Sequence, residues 1–293
     1  MTIAVTGATG HLGRLVIDEL RRSRPAGSLV ALVRDPSRAQ DLANDGVRVR
    51  VADYEDPAAL VQGLAEVRTL LLVSGSEVGK RVDQHRNVIE AAVEAGVHHI
   101  VYTSAPRADT SPLVLAPEHR ATEEMLRACG VAWTFLRNNW YTENYVGTLH
   151  QAAETGEIVA AAGEGRVASA TRADFAAATA AVLLGEGHEG KVYELGGDHA
   201  WTFDELAAAA STVVGRDVVY HRVSADDLRR SLVAEAGLDE GTAGFVVQLD
   251  LDIEAGLLAE VTGDLSRLVG RPTTPLVDGL REAYEPVPYP HAV

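Results

Sequence analysis

Gly7-Ala8-Thr9-Gly10-His11-Leu12-Gly13 is the stretch of this chain that decides its fold. The apolar run 2–6 before it predicts a β-strand, and the pattern 14–22 after it predicts a helix. Gly7 can take the positive φ of a tight turn, Gly10 leaves room for a pyrophosphate, and Gly13 allows close helix packing. We therefore predict a dinucleotide-binding turn, with a plain βα turn as the alternative. The residues predicted to bind the cofactor here are Gly7, Ala8, Thr9, Gly10, His11 and Leu12.

Short apolar runs alternate with helical patterns through the first half of the chain. The runs predict strands at 29–34, 47–51, 69–74, 98–104 and 132–137, and the patterns predict helices at 13–22, 57–64, 82–95 and 118–128. Repeated βα units predict an α/β fold, a Rossmann-like doubly wound parallel sheet. Ligands of such sheets lie at the carboxyl ends of the strands.

The rhythm changes near residue 185. Strands are predicted at 191–195 and 217–223, and Thr202 with Glu205 predicts a capping box for a helix at 203–214. Segment 239–263 is predicted to be helical and mobile, and the proline-rich end 286–290 cannot be a regular helix. We predict a nucleotide-binding domain at 1–184, with part of its pocket at 138–150, and a smaller α/β cap region at 185–293.

Composition excludes several classes of protein. The 293 residues are 46% hydrophobic, enough for a sizeable core, and the net charge is −16. An acidic chain is repelled by nucleic acid and by anionic membranes, and no apolar run reaches spanning length. The one cysteine, Cys129, lies in an apolar helical run and fits a reducing cytoplasm. The oligomeric state is not fixed by the sequence, and a homodimer is left open.

The end of the second predicted strand bears on the choice of nucleotide. NAD sites usually have an acidic residue there, whereas Arg34 stands at this strand end and Arg38 follows. A guanidinium can bind a phosphate with two hydrogen bonds, so we predict NADPH over NADH. The alternative is a solvated surface arginine. Asp35 could pair with Arg38 or accept a ribose hydroxyl instead.

Polar residues also follow the next two predicted strands. Asp53 could meet the adenine edge or could cap the helix at 57–64. Ser74 and Ser76 end the fourth strand, which lies beside the first in this topology. We predict that both serines lie near the nicotinamide ribose, with a plain turn as the alternative.

Several longer stretches carry a resemblance to a known family. They are Val5-Thr6-Gly7-Ala8-Thr9-Gly10, Ala31-Leu32-Val33-Arg34, Ser76-Glu77-Val78-Gly79, Gln84-His85-Arg86-Asn87, Leu136-Arg137-Asn138-Asn139-Trp140-Tyr141 and Ser169-Ala170-Thr171-Arg172-Ala173-Asp174. On these stretches the chain resembles the NmrA-like group of atypical short-chain dehydrogenases, and within it the type 2 NAD(P)H:quinone oxidoreductases. The resemblance covers nearly the whole chain. It implies two-electron reduction of a small-molecule quinone by NADPH, with no flavin.

The acid pair of typical short-chain dehydrogenases is absent from the sequence. In the Tyr-x-x-x-Lys motif, Tyr donates a proton and Lys lowers its pKa. Here Leu115 stands in the Tyr position and His119 in the Lys position, and Tyr102 is followed by Pro106 at the fourth place. A quinone tolerates this loss, because solvent can protonate the phenolate that forms. Holding the nicotinamide close to the quinone is then the main task of the protein.

The segment after the sixth predicted strand holds the expected reacting centre. Its amides can bond a quinone carbonyl and its aromatic rings can stack on the quinone. We predict His119, Asn139 and Tyr141 as catalytic residues and Tyr145 and Arg172 as cofactor-binding residues. Alternatives remain open: Trp140 and Tyr145 could be core residues, His119 a surface residue at a helix start, and Arg172 a partner of Asp174.

Other functions are excluded or kept as rivals. The ten histidines show no ligand spacing for a metal, and Gly75-Ser76-Glu77-Val78-Gly79 does not match the hydrolase motif G-x-S-x-G. One rival is a reductase of triphenylmethane dyes, whose framework is nearly the same. The other rival is a protein that binds NADP and signals its redox state to a partner without catalysis.

Overall fold

A computed structural model of the chain describes residues 2–77 and 79–284. Its strands are β1 (Ile3–Val5), β2 (Leu29–Val33), β3 (Arg48–Val51), β4 (Thr69–Leu72), β5 (His99–Ser104), β6 (Ala132–Asn138), β7 (Glu157–Ala160), β8 (Arg166–Val167), β9 (Val192–Leu195), β10 (Trp201–Thr202) and β11 (Val219–Arg222). Its helices are α1 (His11–Arg21), α2 (Gln40–Asn44), α3 (Pro57–Gly63), α4 (Arg81–Glu94), α5 (Ala116–Ala128), α6 (Val146–Thr155), α7 (Arg172–Leu184), α8 (Phe203–Val214), α9 (Ala225–Ala234), α10 (Glu240–Glu254), α11 (Asp264–Val269) and α12 (Leu276–Ala283).

The main sheet is parallel throughout and has the order β3-β2-β1-β4-β5-β6-β9 within the described residues. Strand β1 lies inside it, and Val5 pairs with Ala31 of β2 on one side and with Leu71 of β4 on the other. The strand order therefore reverses next to β1. Such a switch point opens a crevice at the carboxyl ends of the strands. The predicted Rossmann-like fold is confirmed.

Helices cover both faces of this sheet, which explains why its strands are apolar without alternation. Every residue of β2 and of β4 is buried. One face packs on Val16 and Ile17 of α1 and on Phe175 of α7, and the other on α3, α4 and α5. Each fully buried Val, Leu or Phe side chain contributes about 1.5–3 kcal/mol to stability, so these two layers hold the carboxyl edge in place.

The C-terminal part builds a second core. It joins Leu149 of α6, Trp201 of β10, Leu206 of α8 and Leu280 of α12. The predicted capping box is present, with Thr202 accepting from the amide of Glu205 and the carboxylate of Glu205 accepting from the amide of Thr202. Strand β9 pairs with β6 in the main sheet, and α6 packs against the second core. Residues before position 184 therefore contribute to the second core, and residues after it contribute to the main sheet.

Segment 239–263 is largely helical, as predicted. Asp239 begins α10 by accepting hydrogen bonds from the amides of Gly241 and Thr242. The mobility of the segment stays a prediction. The proline-rich end 286–290 lies outside the described residues. Among the helices of the described chain, none is both long and apolar enough to cross a membrane.

Candidate active site

The glycine turn between β1 and α1 has the predicted geometry. Gly7 has φ +57°, and the amide of Gly10 donates to the carbonyl of Gly7 at 2.8 Å. A Cβ on Gly13 would lie 2.4 Å from that same carbonyl oxygen, so only glycine fits where the helix meets the turn. No side chain caps the first turn of α1, which leaves its N–H groups and positive dipole end for an anion.

A cleft of about 710 Å³ runs along the carboxyl edge of the sheet from this turn. Most of the predicted site residues line it, namely Gly7, Thr9, Gly10, His11, Leu12, Arg34, Ser74, Ser76, His119, Asn139, Tyr141 and Arg172. Two predicted residues do not. Ala8 is fully buried in the core behind the turn, and Tyr145 lies in the second core.

The part of the cleft near the end of β2 carries two arginines and several carboxylates. Arg34 and Arg38 both line the cleft, and Arg34 is 67% exposed with Nη1 3.3 Å from Oε1 of Glu77. The carboxylate of Asp35 accepts hydrogen bonds within its own turn, from the amide of Ser37 at 2.9 Å and from the hydroxyl of Ser37 at 2.6 Å. These hydrogen bonds hold the pKa of Asp35 below its usual value, so Asp35 stays charged at the mouth of the site.

Asp53 lines the cleft and does not cap the following helix. Its Oδ1 accepts from the amide of Glu55 at 2.9 Å. The cap of α3 is Asp56, which accepts from the amide of Ala59 at 3.0 Å and is followed by Pro57. Of the two alternatives for Asp53, the helix cap is therefore wrong, and a position at the nucleotide stays a prediction.

The loop after β4 is held from behind by buried polar groups. The strand ends at Leu72, earlier than predicted, so Ser74 and Ser76 lie in the loop. The amide of Gly75 donates to Nε2 of His85 at 3.0 Å, and its carbonyl accepts from Nε of Arg81 at 2.7 Å. Since Nε2 of His85 accepts, its proton is on Nδ1. Burial and the charge of Arg81 lower the pKa of His85 to about 3.

His119 is buried, so the alternative of a surface histidine is wrong. It is 6% exposed, and its Nδ1 is 2.7 Å from the hydroxyl of Tyr102, which is completely buried. Burial is the main cause that lowers the pKa of His119 to about 3, with the charge of Arg81 adding to it. A histidine of this kind is neutral at physiological pH, which argues against its acting as a charged proton donor.

The two asparagines after β6 have different environments. Asn139 uses both ends of its amide inside the protein: Oδ1 accepts from the amide of Trp140 at 2.7 Å, and Nδ2 donates to the carbonyl of Leu258 at 3.1 Å. Asn138 is 7% exposed and lines the cleft, and its Oδ1 has no hydrogen-bond partner among the described residues. A buried acceptor without a partner is therefore left on Asn138 and not on Asn139.

Tyr141 and Arg172 form one wall of the cleft. The guanidinium of Arg172 lies 4.7 Å from the centre of the Tyr141 ring, and its Nη2 donates to Asn144 at 2.8 Å. Asp174 is buried elsewhere and pairs with Arg271 at 2.7 Å, so the alternative pairing of Arg172 with Asp174 is wrong. Burial raises the pKa of Tyr141, which keeps its hydroxyl protonated at neutral pH.

Tyr145 requires a correction. Its ring packs edge-on against Trp201, 5.1 Å between centres, and against Phe203. Tyr145 is a core residue, which was the alternative interpretation from the sequence. Its position does not support the prediction that it binds the cofactor. Trp140, in contrast, lines the cleft.

One end of the cleft contains two residues that the sequence did not reveal, Leu113 and Leu258. They join Leu115 and Trp140 in an apolar wall. Leu258 comes from a distant segment; its carbonyl accepts from Asn139 and from the amide of Ala168, and its side chain packs in the second core. No sequence motif signals such a contact. Within the part of the chain described, no group of three His, Cys, Asp or Glu side chains could hold a metal ion.

Comparison with known proteins identifies the family to which a chain with this fold and this cleft belongs. The model of the NmrA-like family matches residues 1–252, and the chain belongs to this family.

Particular relatives are similar over nearly the full length. Quinone oxidoreductase 2 of Escherichia coli is 50% identical over 282 residues, which are 96% of this chain and 98% of that protein. The crystal structure of the NADPH-dependent quinone oxidoreductase of E. coli complexed with NADPH superposes with a TM-score of 0.92, covering 96% and 99% of the two chains. The Citrobacter sp. triphenylmethane reductase complexed with NADP(H) is 42% identical, with a TM-score of 0.91 and coverage of 96% and 100%.

Proposed function

We propose that this chain is an NADPH-dependent quinone oxidoreductase that transfers a hydride to the quinone without a flavin. One observation carries the proposal: a single cleft joins the glycine turn and two arginines to a wall of amide, aromatic and aliphatic groups. The similarity to quinone oxidoreductase 2 of E. coli and to its complex with NADPH supports it.

The residues present suit NADPH. The tight turn and the uncapped start of α1 suit its diphosphate, and Arg34 with Arg38 suits its 2′-phosphate. The unpartnered Oδ1 of Asn138 suits a ligand amide donor, because a buried acceptor left without a partner costs about 1–3 kcal/mol. Ser74, Ser76 and Arg172 offer further polar contacts along the same wall.

The chemistry requires little acid or base from the protein. When bound, NADPH supplies the hydride. Trp140 and Tyr141 offer aromatic rings to a flat acceptor, and Leu113, Leu115 and Leu258 offer apolar contacts beside them. Leu115 cannot donate a proton and His119 is neutral, so we propose that solvent protonates the reduced quinone. Catalysis then comes from proximity and orientation.

We further propose that residues 185–293 act as a smaller cap region that completes the acceptor end, since Leu258 reaches the cleft from this part. A cytoplasmic location fits a chain with one cysteine, Cys129.

The proposal is tested with flavin-free protein, NADPH and a small benzoquinone, by following the absorbance of the reduced nicotinamide. We expect oxidation of NADPH that depends on both protein and quinone and is unchanged by added flavin. A triphenylmethane dye is assayed in parallel, because the Citrobacter reductase is so similar in structure. Faster turnover of the dye would favour that rival, and binding of NADPH with no oxidation by any acceptor would favour the redox sensor.

A further inference from the structure

The guanidinium expected to bind the 2′-phosphate already contacts a carboxylate. Nη1 of Arg34 lies 3.3 Å from Oε1 of Glu77. Arg34 follows β2 and Glu77 is in the loop after β4, so the pair joins the two strands that flank β1. Both residues line the cleft. The ion pair therefore spans the nucleotide end of the site.

Glu77 is held in this position by a second cation. Its Oε2 lies 3.4 Å from Nζ of Lys80, and Lys80 in turn contacts Glu55 at 3.4 Å. Contacts with Glu55 and Glu77 raise the pKa of Lys80, so the ammonium stays charged. The side chain of Glu77 is 40% exposed, which leaves it accessible to a ligand entering the cleft.

The carboxylate of Glu77 and the charges around it disfavour the binding of a second anion. Asp35, Asp53 and Arg38 also line the cleft. A phosphate group carries a charge of about −2 at neutral pH. Two anions that share one guanidinium repel each other, whereas an uncharged ribose hydroxyl meets no such repulsion.

We propose that Glu77 is a specificity-determining residue that competes with the 2′-phosphate of NADPH for Arg34. This inference rests on the proposed function, since it assumes that the cleft binds a nicotinamide dinucleotide. Arg34 and Glu77 then act in opposite directions: the arginine favours NADPH over NADH, and the glutamate limits that preference. The measured ratio of the affinities for NADPH and NADH therefore reflects the preference given by Arg34, reduced by the opposing effect of Glu77.

The test measures the dissociation constants of NADPH and NADH for the whole chain by fluorescence of the reduced nicotinamide. We expect Glu77→Gln to tighten NADPH about three- to tenfold, as expected for removal of one partly exposed charge, and to change NADH by less than about twofold. High salt shrinks this difference. The matched control is Glu55→Gln, which removes a carboxylate that contacts Lys80 but not Arg34, and should leave the ratio unchanged.

The effect of Glu77→Gln should also vanish in an Arg34→Ala background, because the competition needs the shared guanidinium. Weaker NADPH binding by Glu77→Gln would make Glu77 a supporting ligand and overturn the inference. An unchanged ratio, with folding verified by circular dichroism, would overturn it as well. Failure of the wild-type chain to bind either nucleotide would instead overturn the proposed function and the inference together.

Discussion

The hydroxyl of Ser104 donates a hydrogen bond to Oε1 of Glu123 at 2.7 Å. Ser104 lines the cleft at the end of β5, and Glu123 is fully buried on α5. The same carboxylate accepts from Arg137 at 2.6 Å, and Arg137 comes directly before Asn138. A buried ion pair therefore connects the floor of the cleft to the strand that presents the asparagines.

Breaking the ion pair between Arg137 and Glu123 should lower the stability of the fold. Arg137→Met leaves the fully buried Glu123 without its closest cation, and we expect a loss of about 3–5 kcal/mol in the free energy of unfolding. Urea denaturation measures it. The control is Arg22→Met, which removes the exposed pair with Glu19 and should cost less than about 1 kcal/mol. Equal losses in the two variants would contradict the account.

Gly13→Ala tests the turn. The new Cβ would lie 2.4 Å from the carbonyl oxygen of Gly7, so helix α1 must shift away from the phosphate site. We expect NADPH binding to weaken by about tenfold or more, measured by calorimetry. Gly27→Ala is the matched control, since its Cβ meets no atom within 4 Å. Normal binding by Gly13→Ala would show that the turn is not the phosphate site.

Arg34→Ala tests the choice of nucleotide. Loss of a charge-assisted contact should weaken NADPH by about ten- to a hundredfold, while NADH changes little. Affinities for both nucleotides are compared with those of Arg230→Ala, which removes an exposed charge paired with Asp227 on α9. An equal loss for NADPH and NADH in Arg34→Ala would refute the assignment.

The two asparagines should separate binding from stability. Asn138→Ala removes a buried acceptor that has no partner among the described residues, so it should weaken nucleotide binding with little effect on unfolding. Asn139→Ala removes the hydrogen bonds to Trp140 and Leu258 and should lower stability by about 1–3 kcal/mol. Parallel titration and denaturation of both variants check this. The reverse pattern would reassign the ligand contact to Asn139.

The buried histidines predict a sensitivity to acid. The pKa of His119 falls from 6.5 to about 3 on folding, so below pH 6.5 the unfolded chain binds a proton that the folded chain does not. The stability contribution is complete above pH 6.5 and is lost as the pH falls toward 3, at up to about 1.4 kcal/mol per pH unit. His119→Gln should flatten this part of the stability profile in urea melts. An unchanged slope would mean that His119 titrates normally in the folded protein.

The sequence predicted the sheet and the shape of the glycine turn well, because both depend on local patterns. Apolar runs without polar alternation predicted strands that are buried on both faces, and the spacing of Gly7, Gly10 and Gly13 predicted the turn. The helix predicted at 57–64 is present as α3, which begins at Pro57. Each of these signals is contained within a few residues.

Long-range contacts could not be predicted in this way. Tyr145 and Tyr141 are close in sequence, yet only the packing of Trp201 and Phe203 decides that Tyr145 is a core residue. Asn139 resembled a ligand until Leu258, 119 residues further on, was seen to accept from its amide. From the sequence, His119 is predicted to be catalytic, with a surface residue at a helix start as the alternative. Its burial against Tyr102 depends on the docking of α5 on β5.

The central claim is direct hydride transfer from NADPH to a quinone in this cleft. The most direct measurement is a single turnover of flavin-free protein with benzoquinone and NADPH that carries deuterium on one or the other face of nicotinamide C4. The account predicts one hydroquinone per NADPH and slower oxidation when one of the two faces, and only that one, carries deuterium. Oxidation that requires added flavin, or no oxidation at all, would contradict it.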